Sequence, residues 1–366
     1  MIESMPYICS IGTAAPRYNM NQEEIKRLVK DIFSYTSRQV ERLLPVFDNA
    51  YVHDRQFVVE KSWFTKEHSF EDKNHLFQKL AKEYSVQAID QCLQNHNFLT
   101  DAIPYEAIDM IIFVSSAGIS APSMDVHIIN ERAFRKDVRR LPLWGLGCAG
   151  GAIGLSTAYD WISANPDKTA LVVCCELCSL TFQKGDVKKS NIVGTAIFGD
   201  GISSALVVGE KSRYLTYRKV ASPKIVSTSS LLKSKSIDVM GWDVTNSGLE
   251  VVFSKSIPSL VQSFWKEHIE SFLREQHLSE SDIFSYIAHP GGKKVLEAME
   301  HVLQTTNNKL KHSYKVLSEH GNMSSSTVLY VLEEWMKEKV GNNNRSILSA
   351  LGPGFSSELL LLEWDE

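Results

Sequence analysis

Three side chains that lie far apart in the sequence could together build a thiol nucleophile: Cys148, His289 and Asn322. The thiolate is the reactive form of cysteine, and a distant histidine and asparagine are the kind of partners that such a nucleophile uses. Each of the three lies at a turn that contains glycine. The chemistry requires a fold that brings these turns to one place.

The segment 141–155, LPLWGLGCAGGAIGL, indicates how Cys148 is positioned. An apolar run that ends at about Leu146 predicts a buried strand, and a helix is predicted from Ala149 to Ala164. Unpaired N–H groups and the positive end of the dipole at the start of a helix favour a thiolate. The glycines allow a tight turn and a close approach of backbone or ligand.

The same stretch also fits a dinucleotide-binding fingerprint, G-x-G-x-x-G, over 145–150. Glu176 ends the next predicted strand, where an acid that binds a ribose would lie. This acid comes later than the usual spacing of about 20 residues. The dinucleotide interpretation also leaves the turns at 289–292 and 321–325 unexplained, so the thiol nucleophile is preferred.

The order of the predicted elements repeats along the chain. The first half contains a helix, a strand, the Cys148 unit and two strands, at 72–96, 108–114, 141–164, 170–175 and 203–208. The second half contains a helix, a strand, the Asn322 turn and two strands, at 258–276, 283–288, 320–323, 346–350 and 358–364. Equivalent loops of two such halves converge on one crevice. We therefore predict one half over residues 1–215, with the cysteine, and another over 216–366, with the histidine and asparagine.

Three further patterns give local predictions. Residues 192–198 and 203–208 flank Gly-Asp-Gly at 199–201, which predicts a hairpin. Tyr314 to Leu317 predicts a short strand. Residues 210–247 are polar and weakly periodic, which predicts a connection between the two halves.

The composition is that of a soluble globular protein. Of the 366 residues, 43% are apolar and 22% are charged, and a net charge of −4 gives no basic signature for binding a nucleic acid. No stretch reaches the roughly 18 apolar residues that a membrane helix needs. Residues 1–16 lack the basic and long apolar regions of a signal peptide. We therefore expect neither a nucleic acid partner nor a membrane span.

The six cysteines do not form the framework of a small disulfide-rich domain. In the absence of a signal peptide, reduced thiols in the cytoplasm are the better interpretation. Cys174, Cys175 and Cys178 could suggest a metal site, but no second pair of Cys or His follows at ligand spacing. We therefore expect buried structural thiols there and no metal.

Five sequence blocks resemble the signature blocks of type III polyketide synthases, the chalcone and stilbene synthase-like enzymes of the thiolase superfamily. In chain order they are GCAGG at 147–151, FGDG at 198–201, IAHPGG at 287–292, GNMSS at 321–325 and GPGF at 352–355. The resemblance covers about residues 7–363. The stretches LPLWGLGCAGGA and ELCSLTFQ are most similar to the bacterial enzymes that form alkylpyrones and alkylresorcinols.

The resemblance implies a five-layered αβαβα homodimer that condenses acyl-CoA with malonyl-CoA and needs no further cofactor. Cys148 would be acylated and would carry the growing chain as a thioester. His289 would pair with Cys148 and keep it a thiolate. His289 and Asn322 would form an oxyanion hole for the malonyl thioester carbonyl, which stabilises the enolate left when carbon dioxide departs.

The resemblance also assigns residues to the substrate cavity. Phe198 matches a gatekeeper phenylalanine between the coenzyme A tunnel and the cavity. Val251 falls near a second gatekeeper position, with Phe253 two residues further on. Other cavity-lining positions are Cys178, where the plant enzymes usually have threonine, Thr181 and Ser324.

Other departures from the family pattern concern the size of the cavity. Ala121 takes the place of a methionine that reaches across the dimer in the plant enzymes. Trp242 or Gly241, depending on the register, faces the region where bulk limits elongation. Smaller residues such as Ala121 imply more room for a long alkyl chain.

Coenzyme A phosphates are usually met by a basic cluster, of which Arg42 matches clearly. Pro45 and Asn49 occupy positions where basic residues are common. The positive charge would then be supplied by another residue. The candidates are Arg55, Lys293 and Lys294.

The sequence thus predicts a cytoplasmic type III polyketide synthase that extends a long- or medium-chain fatty acyl-CoA with two or three malonyl-CoA units. Triketide or tetraketide alkylpyrones are the expected products, with alkylresorcinols as the alternative. A ketoacyl synthase of the type that initiates fatty acid synthesis also uses Cys, His and Asn. In those enzymes Gln-Ala-Asn follows the histidine, whereas Pro-Gly-Gly follows His289 here.

Overall fold

The computed structural model describes residues 4–33, 41–305 and 307–365. Thirteen strands occur in these ranges: β1 Tyr7–Ala14, β2 Tyr18–Asn21, β3 Asp54–Phe57, β4 Met110–Ser115, β5 Arg139–Trp144, β6 Thr169–Leu177, β7 Asp200–Val208, β8 Ser222–Leu232, β9 Met240–Thr245, β10 Gly248–Phe253, β11 Ile283–Ala288, β12 Arg345–Gly352 and β13 Ser356–Asp365. Eleven α-helices occur in the same ranges: α1 Gln22–Ile32, α2 Pro45–Asn49, α3 Phe70–Leu93, α4 Met124–Ile129, α5 Gly150–Ala164, α6 Lys189–Ile197, α7 Ile257–Leu260, α8 Lys266–Glu275, α9 Lys293–Leu303, α10 Lys311–His320 and α11 Thr327–Met336. None of these helices is long and apolar enough to cross a membrane.

Nine of the strands form one sheet in the order β11-β12-β13-β8-β1-β7-β6-β4-β5. In the first half, β4 runs parallel to β6, which pairs antiparallel with β7, and β7 pairs antiparallel with β1. In the second half, β11 runs parallel to β12, which pairs antiparallel with β13, and β13 pairs antiparallel with β8. The strand pairing therefore repeats in the manner that the element order predicts.

Helices form three layers around the two halves of this sheet. Helices α5 and α11 lie in the middle, where α5 contacts β4 and β6 on one side and β12 and β13 on the other. Helix α3 covers the outer face of the first half, against β1, β6 and β7. On the outer face of the second half, helix α8 contacts β13 and helix α10 contacts β11. The five-layered αβαβα arrangement expected from the sequence is confirmed.

Helix α3 begins at a capping box and packs through one apolar face. The Ser69 hydroxyl accepts the N–H of Asp72 at 3.1 Å, and the Asp72 carboxylate accepts the N–H of Ser69 at 3.1 Å. Phe77, Ala81 and Ala88 recur at helical spacing and are buried. The helix is thereby fixed with its N-terminal turns close to the loop that follows β6.

Two predicted strands are helices, and one predicted connection, 210–247, contains the two strands β8 and β9. Residues 192–198 mostly lie in α6, because Ile192 and Ala196, one helical turn apart, both face the core. The hairpin predicted at 199–201 is therefore wrong. Residues 314–317 lie in α10. The polar stretch 210–247 contributes β8, whose serine-rich sequence pairs with β13 inside the sheet.

The strand before Cys148 is exposed, although the sequence predicted a buried one. Strand β5 lies at the edge of the sheet and has β4 as its one neighbour among the described strands. Its side chains are exposed or half-buried, and Trp144 is 51% exposed. An edge strand also tolerates Pro142, which has no N–H to donate.

Candidate active site

Cys148 lies in a 3₁₀ turn, Gly147–Ala149, between β5 and α5. Gly147 has a φ of +47°, a left-handed conformation that glycine adopts at little cost. A Cβ on Gly151 would lie 2.2 Å from the carbonyl oxygen of Ser325 in the other half of the chain. The glycines therefore allow the start of α5 to approach the second half closely beneath the cysteine.

Asn322 contacts Cys148 directly. The Asn322 side chain is 1% exposed, and its Oδ1 accepts the N–H of Ser324 at 2.8 Å. Because only the oxygen of an amide can accept, this bond identifies Oδ1 and Nδ2, and Nδ2 donates to the Gly291 carbonyl oxygen at 3.4 Å. The Cys148 Sγ lies 3.8 Å from both Nδ2 and Oδ1 of Asn322. The Asn322 N–H donates to the Ile197 carbonyl at 2.7 Å, which fixes the turn itself.

His289 lies at the same place, directly after β11. Its backbone N–H donates to the Ser349 carbonyl at 2.8 Å, and its side chain is 3% exposed. A Cβ on Gly291 would lie 3.9 Å from His289 Nε2, so His289 and Asn322 both flank Gly291. Within the described ranges, neither ring nitrogen of His289 has a hydrogen-bond partner. The imidazole is therefore positioned by its backbone and by packing.

The geometry favours neutral forms of both Cys148 and His289. Burial raises the pKa of Cys148 to about 12, and the hydrogen bond from Asn322 lowers it only in part. Burial lowers the pKa of His289 to about 3. The resting thiolate expected from the sequence is therefore not favoured here, because burial penalises both charges and no hydrogen bond joins the pair. A neutral imidazole can still accept the thiol proton when the sulfur attacks.

Glu176 is a buried link between the two halves of the site. Its Oε1 accepts the Ser325 hydroxyl at 2.6 Å and its Oε2 accepts the N–H of Ser116 at 3.0 Å. Burial raises the pKa of Glu176 to about 7. This position inside the molecule excludes the ribose-binding acid considered from the sequence.

Glu176→Gln is expected to flatten the pH dependence of stability. The pKa of Glu176 is higher in the folded chain, about 7, than its ordinary value of 4.5, so its contribution is fully present below about pH 4.5 and is lost as the pH rises through 7. Melting temperatures measured across this window should fall less steeply in Glu176→Gln than in the parent. The exposed control Glu267→Gln should follow the parent, and equal slopes in all three proteins would contradict the assignment.

The cysteines at the end of β6 are buried thiols. Cys174 and Cys175 are 0% exposed and Cys178 is 3% exposed. Across residues 4–33, 41–305 and 307–365, no group of three or more His, Cys, Asp and Glu side chains could hold a metal ion.

Phe198, Cys178, Thr181 and Val251 line one cavity. It is narrow, about 30 Å³, and is also lined by Phe57, Phe64, Ser179, Phe182, Asn191, Gly194 and Thr195. The ring centroids of Phe57 and Phe64, and of Phe64 and Phe182, are 5.5 Å apart. The cavity is therefore narrower than the small residues predict, because the rings of Phe57, Phe64 and Phe182 line it.

The structure shows which residues of the β9–β10 hairpin surround Phe198. In the β9–β10 hairpin Trp242 pairs with Val251. The ring centroid of Phe198 lies 5.5 Å from that of Phe253 and 5.9 Å from that of Trp242. Val251 and Phe253 lie on one face of β10, as alternate residues do. Val251 lines the cavity, while Phe253 and Trp242 contact the predicted gatekeeper.

Ser324 and Ala121 occupy different surroundings. Ser324 is 5% exposed, has a φ of +49° and binds the Asn322 side chain through its backbone N–H. Ala121 is exposed on the loop before α4. Neither residue is among the described lining of the narrow cavity.

The basic candidates also differ in position. Arg42 and Lys294 are exposed, and Lys293 lies 3.6 Å from Glu297. Arg55 is 0% exposed, and burial lowers its pKa to about 9. Its guanidinium donates to backbone carbonyls at the end of α6, those of Thr195 at 2.8 Å, Ala196 at 3.0 Å and Phe198 at 2.8 Å. Arg55 therefore caps α6 and cannot meet a phosphate at the surface, which corrects that prediction.

Comparison with known proteins places this site in a family. Residues 3–212 match the N-terminal domain of chalcone and stilbene synthases, and residues 224–364 match the C-terminal domain. The chain is 44% identical over 363 residues to a chalcone synthase homologue of Bacillus subtilis (strain 168), covering 99% of this chain and 100% of the other. It is 31% identical over 360 residues to the 1,3,6,8-tetrahydroxynaphthalene synthase of Streptomyces peucetius subsp. caesius, covering 98% and 93%.

The solved structure of 1,3,6,8-tetrahydroxynaphthalene synthase from Streptomyces coelicolor A3(2), a bacterial type III polyketide synthase, superposes with a TM-score of 0.91. The two are 27% identical, and the match covers 98% of this chain and 99% of the other. The fold is therefore the thiolase-like fold of these enzymes. The chain belongs to the chalcone and stilbene synthase family and is a type III polyketide synthase, a condensing acyltransferase that acts on malonyl-CoA.

Proposed function

We propose that this enzyme loads a long- or medium-chain fatty acyl group onto Cys148 and extends it with two or three malonyl-CoA units to give triketide or tetraketide alkylpyrones. The observation that carries the catalytic roles is the buried contact between Cys148 Sγ and Asn322 Nδ2, 3.8 Å apart, beside His289. The fatty starter is supported by Cys178 and Val251, which are smaller than an aromatic residue, in the cavity wall.

In the first step the thiol is acylated. A ring nitrogen of His289 accepts the proton of Cys148, the sulfur attacks the acyl thioester carbonyl, and coenzyme A leaves with that proton. The neutral imidazole of the resting site is the form that can do this. The acyl group is then held as a thioester on Cys148.

In the second step malonyl-CoA supplies a carbon nucleophile. Loss of carbon dioxide leaves an electron pair that is delocalised onto the thioester oxygen, where Asn322 Nδ2 and an N–H of His289 stabilise the enolate. The enolate carbon attacks the acyl carbonyl, and the Cys148 sulfur leaves with the electron pair of its bond and takes up a proton, which restores the neutral thiol. The electron pair of the new carbon–carbon bond comes from the bond that released carbon dioxide, and no step needs an external oxidant or reductant, so the proposal includes no metal and no nicotinamide.

Two observations favour a smaller starter as a second candidate. The cavity is only about 30 Å³, and a relative with 31% identity is named for a hydroxylated naphthalene rather than for an alkyl product. In that case malonyl-CoA would serve as both starter and extender. Alkylresorcinols are the alternative product if a fatty starter is used, since the same chain can close by aldol condensation.

One experiment tests the proposal and separates these candidates. The purified enzyme is incubated with radiolabelled malonyl-CoA, alone and with acyl-CoAs of graded length, and the products are identified by mass. Alkylpyrones that retain the starter chain would support the fatty starter. Equal product without any acyl-CoA would support malonyl-CoA as the starter, and absence of condensation with every starter would overturn the assignment.

We further propose a cytoplasmic homodimer, with acyl-CoA and malonyl-CoA as the partners. The exposed edge strand β5 and the half-exposed apolar surface beside it support binding of a second copy of this chain at that edge of the sheet. Ala121 lies on the neighbouring loop. Light scattering is expected to give twice the mass of one chain.

The exposed Arg42 and Lys294 are proposed to meet the coenzyme A phosphates.

Val251→Phe is expected to shorten the starter that the enzyme accepts. The Val251 side chain already lies 3.3 Å from the position that a Cβ on Gly194 would take, so a phenyl ring can extend only into the narrow cavity. The value of kcat/KM for long acyl-CoAs, divided by that for short acyl-CoAs, should fall. Val244→Phe, on the exposed part of the same hairpin, is the control and should leave this ratio unchanged. An unchanged ratio in Val251→Phe would show that Val251 does not determine the starter length.

A further inference from the structure

A buried ammonium group ties helix α3 to two other segments. Lys73, in the first turns of α3, is 8% exposed. Its Nζ donates to the Phe182 carbonyl at 3.0 Å, to the Ser247 carbonyl at 3.0 Å and to Gln183 Oε1 at 3.3 Å. An ammonium has three protons to donate, so all of them meet neutral oxygens. Such an arrangement orients the three segments relative to one another.

Gln183 extends this link into a small network. Its Nε2 donates to the Thr181 carbonyl at 3.1 Å and to the Leu249 carbonyl at 3.3 Å. Its backbone carbonyl accepts from Asn191 Nδ2 at 2.8 Å. We call Lys73 and Gln183 the wall node, since they join α3, the segment after β6 and the β9–β10 hairpin.

Two of the segments joined by the wall node each contribute a wall of the narrow cavity. Thr181 and Phe182 belong to one wall, and Val251, two residues beyond Leu249, belongs to the other. The Phe182 ring meets the Phe64 ring edge to face, with centroids 5.5 Å apart. On the far side of these two rings is an outer cavity of about 420 Å³ whose lining includes Lys73, Phe64 and Phe182.

We propose that Lys73 and Gln183 are positioning residues that set the spacing of the two cavity walls, and thereby the length of acyl chain that can displace the Phe64–Phe182 ring pair toward the outer cavity. The inference rests on the proposed function, because it assigns a selectivity to the acyl-loading site. The outer cavity, about 420 Å³, is much larger than the narrow cavity, about 30 Å³, and Phe64 and Phe182 line both, so a chain that outgrows the narrow cavity has room beyond these rings.

The node should respond to pH. Burial lowers the pKa of Lys73 to about 8, and Glu67 opposes this shift. The charged side chains that face the outer cavity besides Lys73 are Lys66, Glu67, Lys184, Asp186, Lys188 and Glu250, with His68 as a further titratable group. Lys184 lies 3.3 Å from Glu67, and Lys188 lies 2.8 Å from Glu250. As the pH rises through about 8, Lys73 loses one of its three donors and one oxygen loses its partner.

The test compares kcat/KM for long and short acyl-CoAs in the parent, Lys73→Met, Lys73→Arg and the control Lys79→Met, which is exposed on the same helix. Loss of hydrogen bonds to buried oxygens is expected to change the long-to-short ratio about fivefold in Lys73→Met. The parent ratio should move in the same direction between about pH 7 and about pH 9. Lys73→Arg, which stays charged, and Lys73→Met should both lose that pH response, while Lys79→Met should keep it.

Decarboxylation of malonyl-CoA alone is measured in parallel, because this reaction does not require a fatty acyl chain to enter the narrow cavity. If the parent neither decarboxylates nor condenses, the proposed function fails. If the parent condenses and the folded Lys73→Met enzyme keeps the parental ratio and pH response, the wall node is overturned. Gln183→Leu supplies a second variant, and the parental pH response tests the node even where a variant does not fold.

Discussion

Cys148→Ala is expected to abolish condensation, lowering kcat by roughly 10³-fold or more, because the growing chain loses its covalent carrier. The sulfur lies at the start of α5, 3.8 Å from Asn322 Nδ2, and no other cysteine occupies that position. Polyketide formation is measured by product mass with the best starter. Decarboxylation of malonyl-CoA should survive in Cys148→Ala, since the proposed enolate donors remain.

Cys175→Ala is the matched control, because Cys175 is also buried but lies within β6. It should retain condensation. Turnover of Cys148→Ala at the parental rate would contradict the covalent mechanism. Loss of both activities in a folded Cys148→Ala enzyme would mean that the cysteine also serves decarboxylation, which the proposed division of roles does not include.

Asn322→Ala is expected to lower malonyl-CoA decarboxylation by roughly 10²- to 10³-fold, the usual effect of removing one oxyanion donor. The Asn322 side chain is 1% exposed and its Nδ2 is directed at the site by the bond between Oδ1 and the Ser324 N–H. Asn322→Asp keeps an oxygen that can accept the Ser324 N–H and keeps the shape of the side chain, but it loses the Nδ2 donor. Both variants should therefore be impaired, as measured by acetyl-CoA formation.

Asn95→Ala is the control for Asn322→Ala, since Asn95 is also a buried amide that binds a backbone carbonyl, that of Ile11 at 2.8 Å. It is expected to reduce stability but not the chemistry of a folded enzyme. Decarboxylation at the parental rate in Asn322→Asp would show that the amide N–H is not an oxyanion donor.

The sequence predicted the parts of the site whose signals are local. The glycines around Cys148 and the turn at Asn322 are short patterns at element junctions, and the structure brings these two residues into contact. The charge states of Cys148 and His289 could not be predicted in this way. They depend on burial by segments that are distant in the sequence, and burial favours the neutral forms.

Local propensity failed where tertiary pairing decides the structure. The apolar residues of β5 resemble those of a central strand, but the strand has one neighbour in the described sheet and is half-exposed. Lys73 and Arg55 look like solvent-exposed cations in the sequence. Both are buried because backbone carbonyls of α6, Phe182 and Ser247 happen to converge on them, which no periodicity reveals.

The central claim is that Cys148 carries the acyl chain, and its most direct test is mass spectrometry of the enzyme after brief incubation with an acyl-CoA and no malonyl-CoA. We predict that the intact protein gains the mass of one acyl group and that peptide mapping places it on Cys148. The thioester should be removed by neutral hydroxylamine and should be absent from Cys148→Ala. An adduct on another residue, or condensation by an enzyme that never forms the adduct, would contradict this account.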